Sequence, residues 1–192
     1  AGADSITLHL REDRRHMQDK DLYELRPLLT TKMNLELAPT GEMIKIALDV
    51  KPQDVCLVPE RREERTTEGG LDIVNNYDLL KDACECLASD GIRTSLFIAP
   101  NIKHIEKAIM MNAPAIEIHT GHYANLQNKA EKLIELSVIR DAVNFANEAG
   151  LVVNAGHGLH YSNVQEIVAI DGIYELNIGH SIVAEALFVG WQ

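Results

Sequence analysis

Seven short apolar runs recur along this chain, and an amphipathic stretch follows each of them. A strand followed by a helix, repeated in this way, is the pattern of a parallel sheet with helices packed on it. Several predicted helices reach the next strand through a turn with glycine, as at Gly91 and Gly150, and glycine suits a left-handed helix cap. The predicted strands cover residues 5–10, 33–38, 54–59, 94–99, 115–119, 151–155 and 175–178.

The repeat predicts a (β/α)8 TIM barrel with extra helices, from which one strand–helix unit is missing. Residues 1–4 resemble the helix ends that precede later strands, so we expect a further strand and helix upstream. We interpret residues 1–192 as a single barrel domain that lacks its N-terminal unit and part of its C-terminal helix. The alternative is an open, doubly wound sheet of seven strands. The predicted helices cover residues 22–30, 41–50, 77–89, 102–111, a stretch within 132–149, 163–169 and 182–189.

The composition excludes several classes of protein. The 192 residues carry 29 acidic and 18 basic side chains, a net charge of -11, so no general positive field attracts nucleic acid or an anionic membrane. No apolar run reaches the roughly 20 residues that a membrane-spanning helix needs. The N-terminus shows no signal-peptide pattern, and the three cysteines lack disulfide or metal-ligand spacing, so we expect reduced thiols in a cytoplasmic protein.

Polar side chains gather where the first two predicted strands end, which is where parallel sheets bind ligands. His9 and Arg11 lie two residues apart and therefore share a face, which pairs an imidazole with a fixed cation. Glu36 lies between apolar neighbours near the end of the next strand. Burial raises the pKa of such a carboxyl and makes it a candidate general base, and the alternative is a buried ion pair.

The third predicted strand leads into a long polar loop, residues 59–70, which ends in the glycine pair Gly69 and Gly70. Long loops of this kind are often lids or binding loops. Thr66 and Thr67 offer hydroxyl groups to an oxyanion, although a threonine pair in a loop is more often a turn or a helix cap.

The last three predicted strands lead into histidines. Glu117 and His119 share a face at the end of the fifth strand, and glycines flank His157 at the end of the sixth, where they let the backbone approach a ligand. His180 follows the seventh strand, and Ser181 is a suitable N-cap for the last helix. If the sixth and seventh predicted strands are the seventh and eighth of a barrel, the loops that follow them form the place where barrels commonly bind phosphate.

The same side chains could instead bind a divalent metal ion, because imidazole and carboxylate are suitable ligands. The sequence has neither an HxH pair nor an HExxH motif, but the spacing does not decide between a metal site and a phosphate or oxyanion site. The candidate ligands are His9, Glu36, Glu117, His119, His157 and His180.

Taken together, seven segments resemble the pyridoxine 5'-phosphate synthase family, the last enzyme of the deoxyxylulose-dependent route to vitamin B6. They follow the family's order from one end of the chain to the other, and their combination is far more specific than any one of them. The segments are HLREDRRH at 9–16, MNLE at 33–36, VPE at 58–60, TTEGGLD at 66–72, EIHTG at 117–121, NAGHGL at 154–159 and ELNIGH at 175–180.

The resemblance implies a (β/α)8 barrel that assembles into an octamer and closes a ring with no metal ion and no organic cofactor. It implies that 3-amino-2-oxopropyl phosphate condenses with 1-deoxy-D-xylulose 5-phosphate, which gives pyridoxine 5'-phosphate, inorganic phosphate and water. In one respect the sequence departs from the family. The family's first strand carries an asparagine and an Asp-His pair that contact substrate, and no such segment is present in this sequence.

The resemblance also implies a role for each matching residue. Glu36 and His9 are similar to the family's proton acceptors, and His157 is similar to its proton donor. Glu117 resembles the carboxylate that stabilises the transition state. Imidazoles and a desolvated carboxylate suit a reaction that moves protons in both directions. The residues that resemble the binding set for the deoxyxylulose phosphate are Arg11, His16 and Thr66, and those for the amino ketone phosphate are Gly158, Gly179 and His180.

Two other functions are consistent with these residues. One is a divalent-metal-dependent barrel isomerase or hydrolase that acts on a sugar phosphate. The other is a barrel without catalytic activity that binds phosphorylated metabolites. The partners that we expect are small phosphorylated molecules and inorganic phosphate, with no nucleic acid and no membrane.

Overall fold

The computed structural model describes residues 2–66 and 69–191, in which seven strands form one parallel sheet. The strands lie in chain order, and each pairs with its neighbours in sequence. The strand order of a doubly wound sheet reverses at a switch point, so an order without reversal confirms the barrel interpretation. The strands are β1 Ser5–His9, β2 Lys32–Leu37, β3 Asp54–Leu57, β4 Arg93–Ile98, β5 Ala115–His119, β6 Val152–Gly156 and β7 Ile173–Asn177.

Helices follow the strands, as the sequence predicts, with one additional short helix, α5, between β5 and α6. Within the described ranges, no helix combines the length and apolar character needed to cross a membrane. A 3-10 turn, Arg62–Glu64, lies in the loop after β3. The helices are α1 Asp19–Leu25, α2 Gly41–Val50, α3 Tyr77–Ser89, α4 Ile102–Met110, α5 Gly121–Asn125, α6 Lys129–Glu148, α7 Val164–Val168 and α8 His180–Val189.

Several helix boundaries differ from the prediction, and those of α1 and α8 have a visible cause. Helix α1 begins three residues earlier, because the Asp21 carboxylate accepts a hydrogen bond from the Gln18 backbone at 2.8 Å, and it ends before Pro27, which has no N–H to continue it. Ser181 is not the N-cap of α8, since that helix already begins at His180. The Ser181 hydroxyl instead donates to the Leu159 carbonyl at 3.0 Å and ties α8 to the loop after β6.

The two faces of the sheet differ in polarity. Outward side chains such as Leu35, Leu96 and Ile116 are completely buried and form the apolar core together with the helices. Inward side chains alternate with them and are largely polar, as with the buried Asn34 and Asn154. The hydrophobic free energy of this fold therefore comes mainly from the layer between sheet and helices, while the interior of the sheet holds polar groups.

One layer of inward side chains brings together alternate strands. The Cys56 thiol of β3 lies 3.5 Å from the Glu117 carboxylate of β5, and the Asn177 amide of β7 donates to the same carboxylate at 2.7 Å. The Thr7 hydroxyl of β1 donates to the Asn177 amide oxygen at 2.9 Å. Four side chains from alternate strands form a layer of the kind that fills a TIM barrel. The curl of the sheet thus brings β1 close to β7, although no backbone ladder joins them within the described residues.

Candidate active site

A pocket of about 590 Å³ opens where the strands end, at the side of the sheet that the sequence predicts for a ligand. It brings together the three residues predicted to transfer protons, the carboxyl group predicted to stabilise the transition state, and four of the residues predicted to bind phosphate. The predicted site residues that line it are His9, Arg11, Glu36, Glu117, His157, Gly158, Gly179 and His180.

Two predicted substrate-binding residues lie outside this lining. His16 is exposed in the segment between β1 and α1. Thr66 lies in the loop after β3, and its buried hydroxyl has no hydrogen-bond partner among the described residues. Its neighbour Arg65 lines the pocket, so this loop does reach the site. Thr67 lies outside the described residues, and the roles of His16 and Thr66 stay predictions.

His9 lies between two carboxylates. Its Nδ1 is 3.5 Å from the Glu36 carboxylate, and its Nε2 is 3.2 Å from the Glu60 carboxylate. Burial raises the pKa of Glu36, and attraction to His9 opposes part of this shift. The arrangement forms a carboxylate–imidazole–carboxylate chain, along which a proton can move between Glu36 and His9.

Glu60 is a residue that the sequence reasoning missed. Its side chain is only 4% exposed, and its second carboxylate oxygen accepts a hydrogen bond from the backbone of Glu12 at 2.9 Å. The carboxylate of Glu64 in turn accepts from the backbone of Glu60 at 2.8 Å. These bonds fix Glu60 against His9, so the loop after β3 orients an imidazole of the site.

Glu117 is the most deeply buried acid of the pocket, with 2% of its surface exposed. Burial, followed by repulsion from Glu36, raises its pKa to about 8. Gly156 leaves the space that its side chain needs, because a Cβ at that position would lie 2.3 Å from Oε1 of Glu117. The raised pKa favours the neutral, protonated form of this group.

The rings of His119 and His157 stack in the pocket, with their centroids 4.9 Å apart. The edge of Phe97 packs against His119 with 5.1 Å between the centroids. Gly121 makes room for the pair, since a Cβ there would lie 2.6 Å from one ring and 2.7 Å from the other. The stack places His157, the predicted proton donor, against a neutral aromatic surface.

His157 has a left-handed backbone with φ 81, which is costly for a residue with a side chain. Gly158 follows with φ 76, so the chain turns sharply as β6 ends. The Thr120 hydroxyl lies 2.7 Å from the Gly156 carbonyl and 2.8 Å from the His157 carbonyl, and it holds the turn. The turn aims the His157 ring and the Gly158 backbone into the pocket.

We expect His119 to make folding stability depend on acidity. Burial lowers its pKa to about 4. Between pH 6.5 and about 4 the unfolded chain binds a proton at this residue and the folded chain does not, so the free energy of unfolding falls as the pH falls. Over this pH interval the free energy of unfolding of the wild-type protein should fall by up to about 3 kcal/mol more than that of His119→Asn. Urea denaturation at several pH values measures the difference.

The comparison between the two proteins removes the contributions of Glu36 and Glu117, whose raised pKa values act in the opposite direction in both. The matched control is His16→Asn, which replaces an exposed histidine and should leave the pH dependence of wild type. If His119→Asn loses as much stability on acidification as wild type, the ring of His119 accepts its proton in the folded protein.

Two places in the pocket suit phosphate. The buried Nε of Arg11 has no hydrogen-bond partner among the described residues, and its nearest carboxylate, Asp13, is 3.5 Å away. The second place is the start of the ten-residue helix α8, where Gly179 is the N-cap, His180 is the first residue and the first turn contains no acidic residue. A guanidinium and a helix N-terminus are both established ways of holding phosphate.

The structure does not gather the predicted ligands into a compact metal site. Within residues 2–66 and 69–191, no group of three His, Cys, Asp or Glu side chains converges in a way that could hold a metal ion. Two of the predicted ligands have other partners in the pocket: Glu117 accepts a hydrogen bond from Asn177, and Glu36 is paired with His9.

The pocket and fold can be compared with known proteins. A family model described as "Pyridoxal phosphate biosynthesis protein PdxJ" matches residues 1–192. Among solved structures, the chain resembles phosphoribosyl anthranilate isomerase from Thermus thermophilus, at 13% identity and a TM-score of 0.61, over 94% of this chain and 78% of that one. It also resembles a mutant tryptophan synthase alpha-subunit from Pyrococcus furiosus, at 15% identity and a TM-score of 0.57, over 91% and 66%. At such identities these two structures support the fold alone.

Proposed function

This chain belongs to the PdxJ family of pyridoxal phosphate biosynthesis proteins, and from that membership we propose that it is a pyridoxine 5'-phosphate synthase. In the proposed reaction, 3-amino-2-oxopropyl phosphate condenses with 1-deoxy-D-xylulose 5-phosphate. The observation that carries this proposal is the pocket itself, whose lining contains the candidate proton-transfer groups together with two places that suit phosphate.

The condensation needs bases that remove protons from carbon and nitrogen, and an acid that protonates leaving oxygens. Glu36 is suited to the first task because burial raises its pKa and so increases its affinity for a proton. His9 lies in contact with Glu36 and can take that proton onward through Nδ1. His157 is suited to protonate a departing hydroxyl group, since the strained turn aims its ring into the pocket.

The two phosphate groups of the substrates would occupy two separate places in the pocket lining. Arg11, near the end of β1, would hold the deoxyxylulose phosphate with its guanidinium. Gly158 and Gly179, together with His180, would hold the amino ketone phosphate at the start of α8. With both phosphates fixed, the reacting carbonyl and amine would meet between them, beside Glu36 and Glu117.

A direct assay tests the proposal. The purified protein, supplied with both substrates, should form pyridoxine 5'-phosphate at an undiminished rate in a strong chelator. Loss of activity in the chelator, with recovery on addition of a divalent ion, would instead support the metal-dependent isomerase or hydrolase. Binding of both substrates without any product would support the barrel that binds phosphorylated metabolites. The octameric assembly and the cytoplasmic location stay predictions.

A further inference from the structure

The two carboxylate oxygens of Glu117 have different surroundings. Oε2 accepts the Asn177 amide at 2.7 Å and lies 3.5 Å from the Cys56 thiol. Burial raises the pKa of Cys56 well above its usual value, so its thiol keeps the proton that it directs at Oε2. An oxygen that receives two donors is an acceptor and is a poor place for a proton of its own.

The orientation of the Asn177 amide is set by a chain of hydrogen bonds. The Asn34 amide donates to the Thr7 hydroxyl at 3.3 Å, which leaves the one hydroxyl proton of Thr7 for the oxygen of Asn177 at 2.9 Å. Because the oxygen of Asn177 is used in this way, its N–H group is the one that faces Glu117. This series of hydrogen bonds therefore runs in one direction, from Asn34 through Thr7 and Asn177, and ends at Oε2 of Glu117.

The other oxygen, Oε1, lies against Gly156, the residue that precedes the turn at His157. Glu117 lines the pocket, and its Oε2 is occupied by Asn177 and Cys56, so Oε1 is the oxygen that can meet a ligand. The absence of a side chain at Gly156 keeps this approach open.

We propose that Asn177 is a positioning residue that holds Oε2 of Glu117 as an acceptor, so that Glu117 presents a protonated Oε1 to the substrate and acts as a neutral hydrogen-bond donor. This role rests on the proposed synthase function, and it specifies, through a neutral donor, how Glu117 would stabilise the transition state as the family resemblance implies. A neutral acid in a buried site can donate a hydrogen bond to an oxygen that gains negative charge as the carbonyl group is attacked. If the proton is transferred, the substrate oxygen becomes a hydroxyl, and the amide and thiol stabilise the carboxylate left behind.

The charges around Glu117 favour the neutral form. Glu36 of β2 and Glu175 of β7 are acids that repel a second negative charge, and the Cys56 thiol of β3 is neutral. Basic side chains also line the pocket, and burial lowers the pKa of two of them, His119 and His157. The full basic set of the lining is His9, Arg11, Arg65, His119, His157, His160 and His180. Together with burial, these surroundings agree with a pKa of about 8 for Glu117.

Infrared spectroscopy tests the protonation state without any substrate. The difference spectrum between wild type and Glu117→Gln at pH 7 should contain the carbonyl band of a protonated carboxyl group, and this band should vanish well above pH 8. Absence of the band at pH 7 would overturn the proposal, whatever reaction the protein catalyses. Failure of the synthase assay alone, with the band present, would instead remove the proposed function and leave the state of Glu117 established.

The role of Asn177 is tested by the same band. Asn177→Ala removes the donor to Oε2, so the band should move to higher frequency, and kcat should fall by about tenfold to a hundredfold. The control is Asn154→Ala, which removes another buried asparagine whose amide donates to Glu175, and it should leave the band in place. A band that does not move in Asn177→Ala would refute the positioning role even if the variant is less stable.

The pH profile of turnover supplies an independent readout. Wild-type kcat should fall as the pH rises through about 8, because the active form of Glu117 is the protonated one. Glu117→Gln keeps a hydrogen-bond donor of similar shape, so it should lose this alkaline fall and be at least about tenfold more active than Glu117→Ala. Equal activities of the two variants would overturn the assignment of Glu117 as a donor.

Discussion

Replacement of Glu36 by glutamine is expected to lower kcat about a thousandfold while KM changes little. Glutamine keeps the shape of the side chain and removes its basicity, and a positioned general base contributes about 10²–10⁴-fold to a rate. Glu36 is the acid beside His9, and burial raises its pKa, so its loss should stop proton removal and not the binding of substrate. Steady-state kinetics on the purified protein, with one substrate varied while the other is saturating, measures the two effects separately.

The matched control for Glu36→Gln is Glu24→Gln, the same substitution at an exposed position of α1. This control should have the kcat and KM of wild type. An unchanged kcat in Glu36→Gln would refute the role of Glu36 as a base. A large rise in KM with kcat preserved would make Glu36 a binding residue instead.

A methyl group at Gly70 is expected to disrupt the loop after β3 and the pocket together. An added Cβ would lie 2.5 Å from the backbone nitrogen of Ala99 and 2.7 Å from the backbone of Ile98, and backbone atoms yield less readily than side chains. Gly70→Ala should therefore lower the free energy of unfolding by about 3 kcal/mol, the upper part of the range for overpacked cores. Chemical denaturation measures this loss.

Activity should fall together with stability in Gly70→Ala, because the backbone around Gly70 anchors the loop. The Gly70 carbonyl accepts from the Thr66 backbone at 2.9 Å, and the Leu71 backbone donates to the Phe97 carbonyl at 2.8 Å. The matched control is Gly41→Ala at the start of α2, where an added Cβ meets nothing within 4 Å and a helix should gain up to about 1 kcal/mol. Wild-type stability in Gly70→Ala would show that the loop can move away without loss.

The strands and most helices were predictable because their apolar patterns are local. Strand β5 has the predicted bounds, since Ile116 and Ile118 alternate with Glu117 and bury the opposite face. Helices α2 and α3 also have the predicted bounds. Helix α5 was missed because its five residues are too few to show a helical period and begin with Gly121, a poor helix former.

The candidate site was only partly predictable, because motifs identify side chains and not their partners. Glu60 belongs to a run of charged residues, the usual pattern of a solvated surface, and only the folded loop turns it onto His9. Asn177 lies two residues after Glu175 and so shares its face, which was a usable signal for an inward side chain. Its contact with Glu117, however, depends on the curl of the sheet, which sequence spacing does not specify.

The order of the strands has a consequence for how this pocket comes into existence. Each ladder joins strands that are adjacent along the chain, so the sheet can grow one strand–helix unit at a time as the chain lengthens. The contact between Thr7 and Asn177 spans 170 residues and requires every intervening unit to be in place. A partly folded chain therefore has formed strands but no complete pocket. Enzymatic turnover reports only on molecules in which β1 and β7 are in contact.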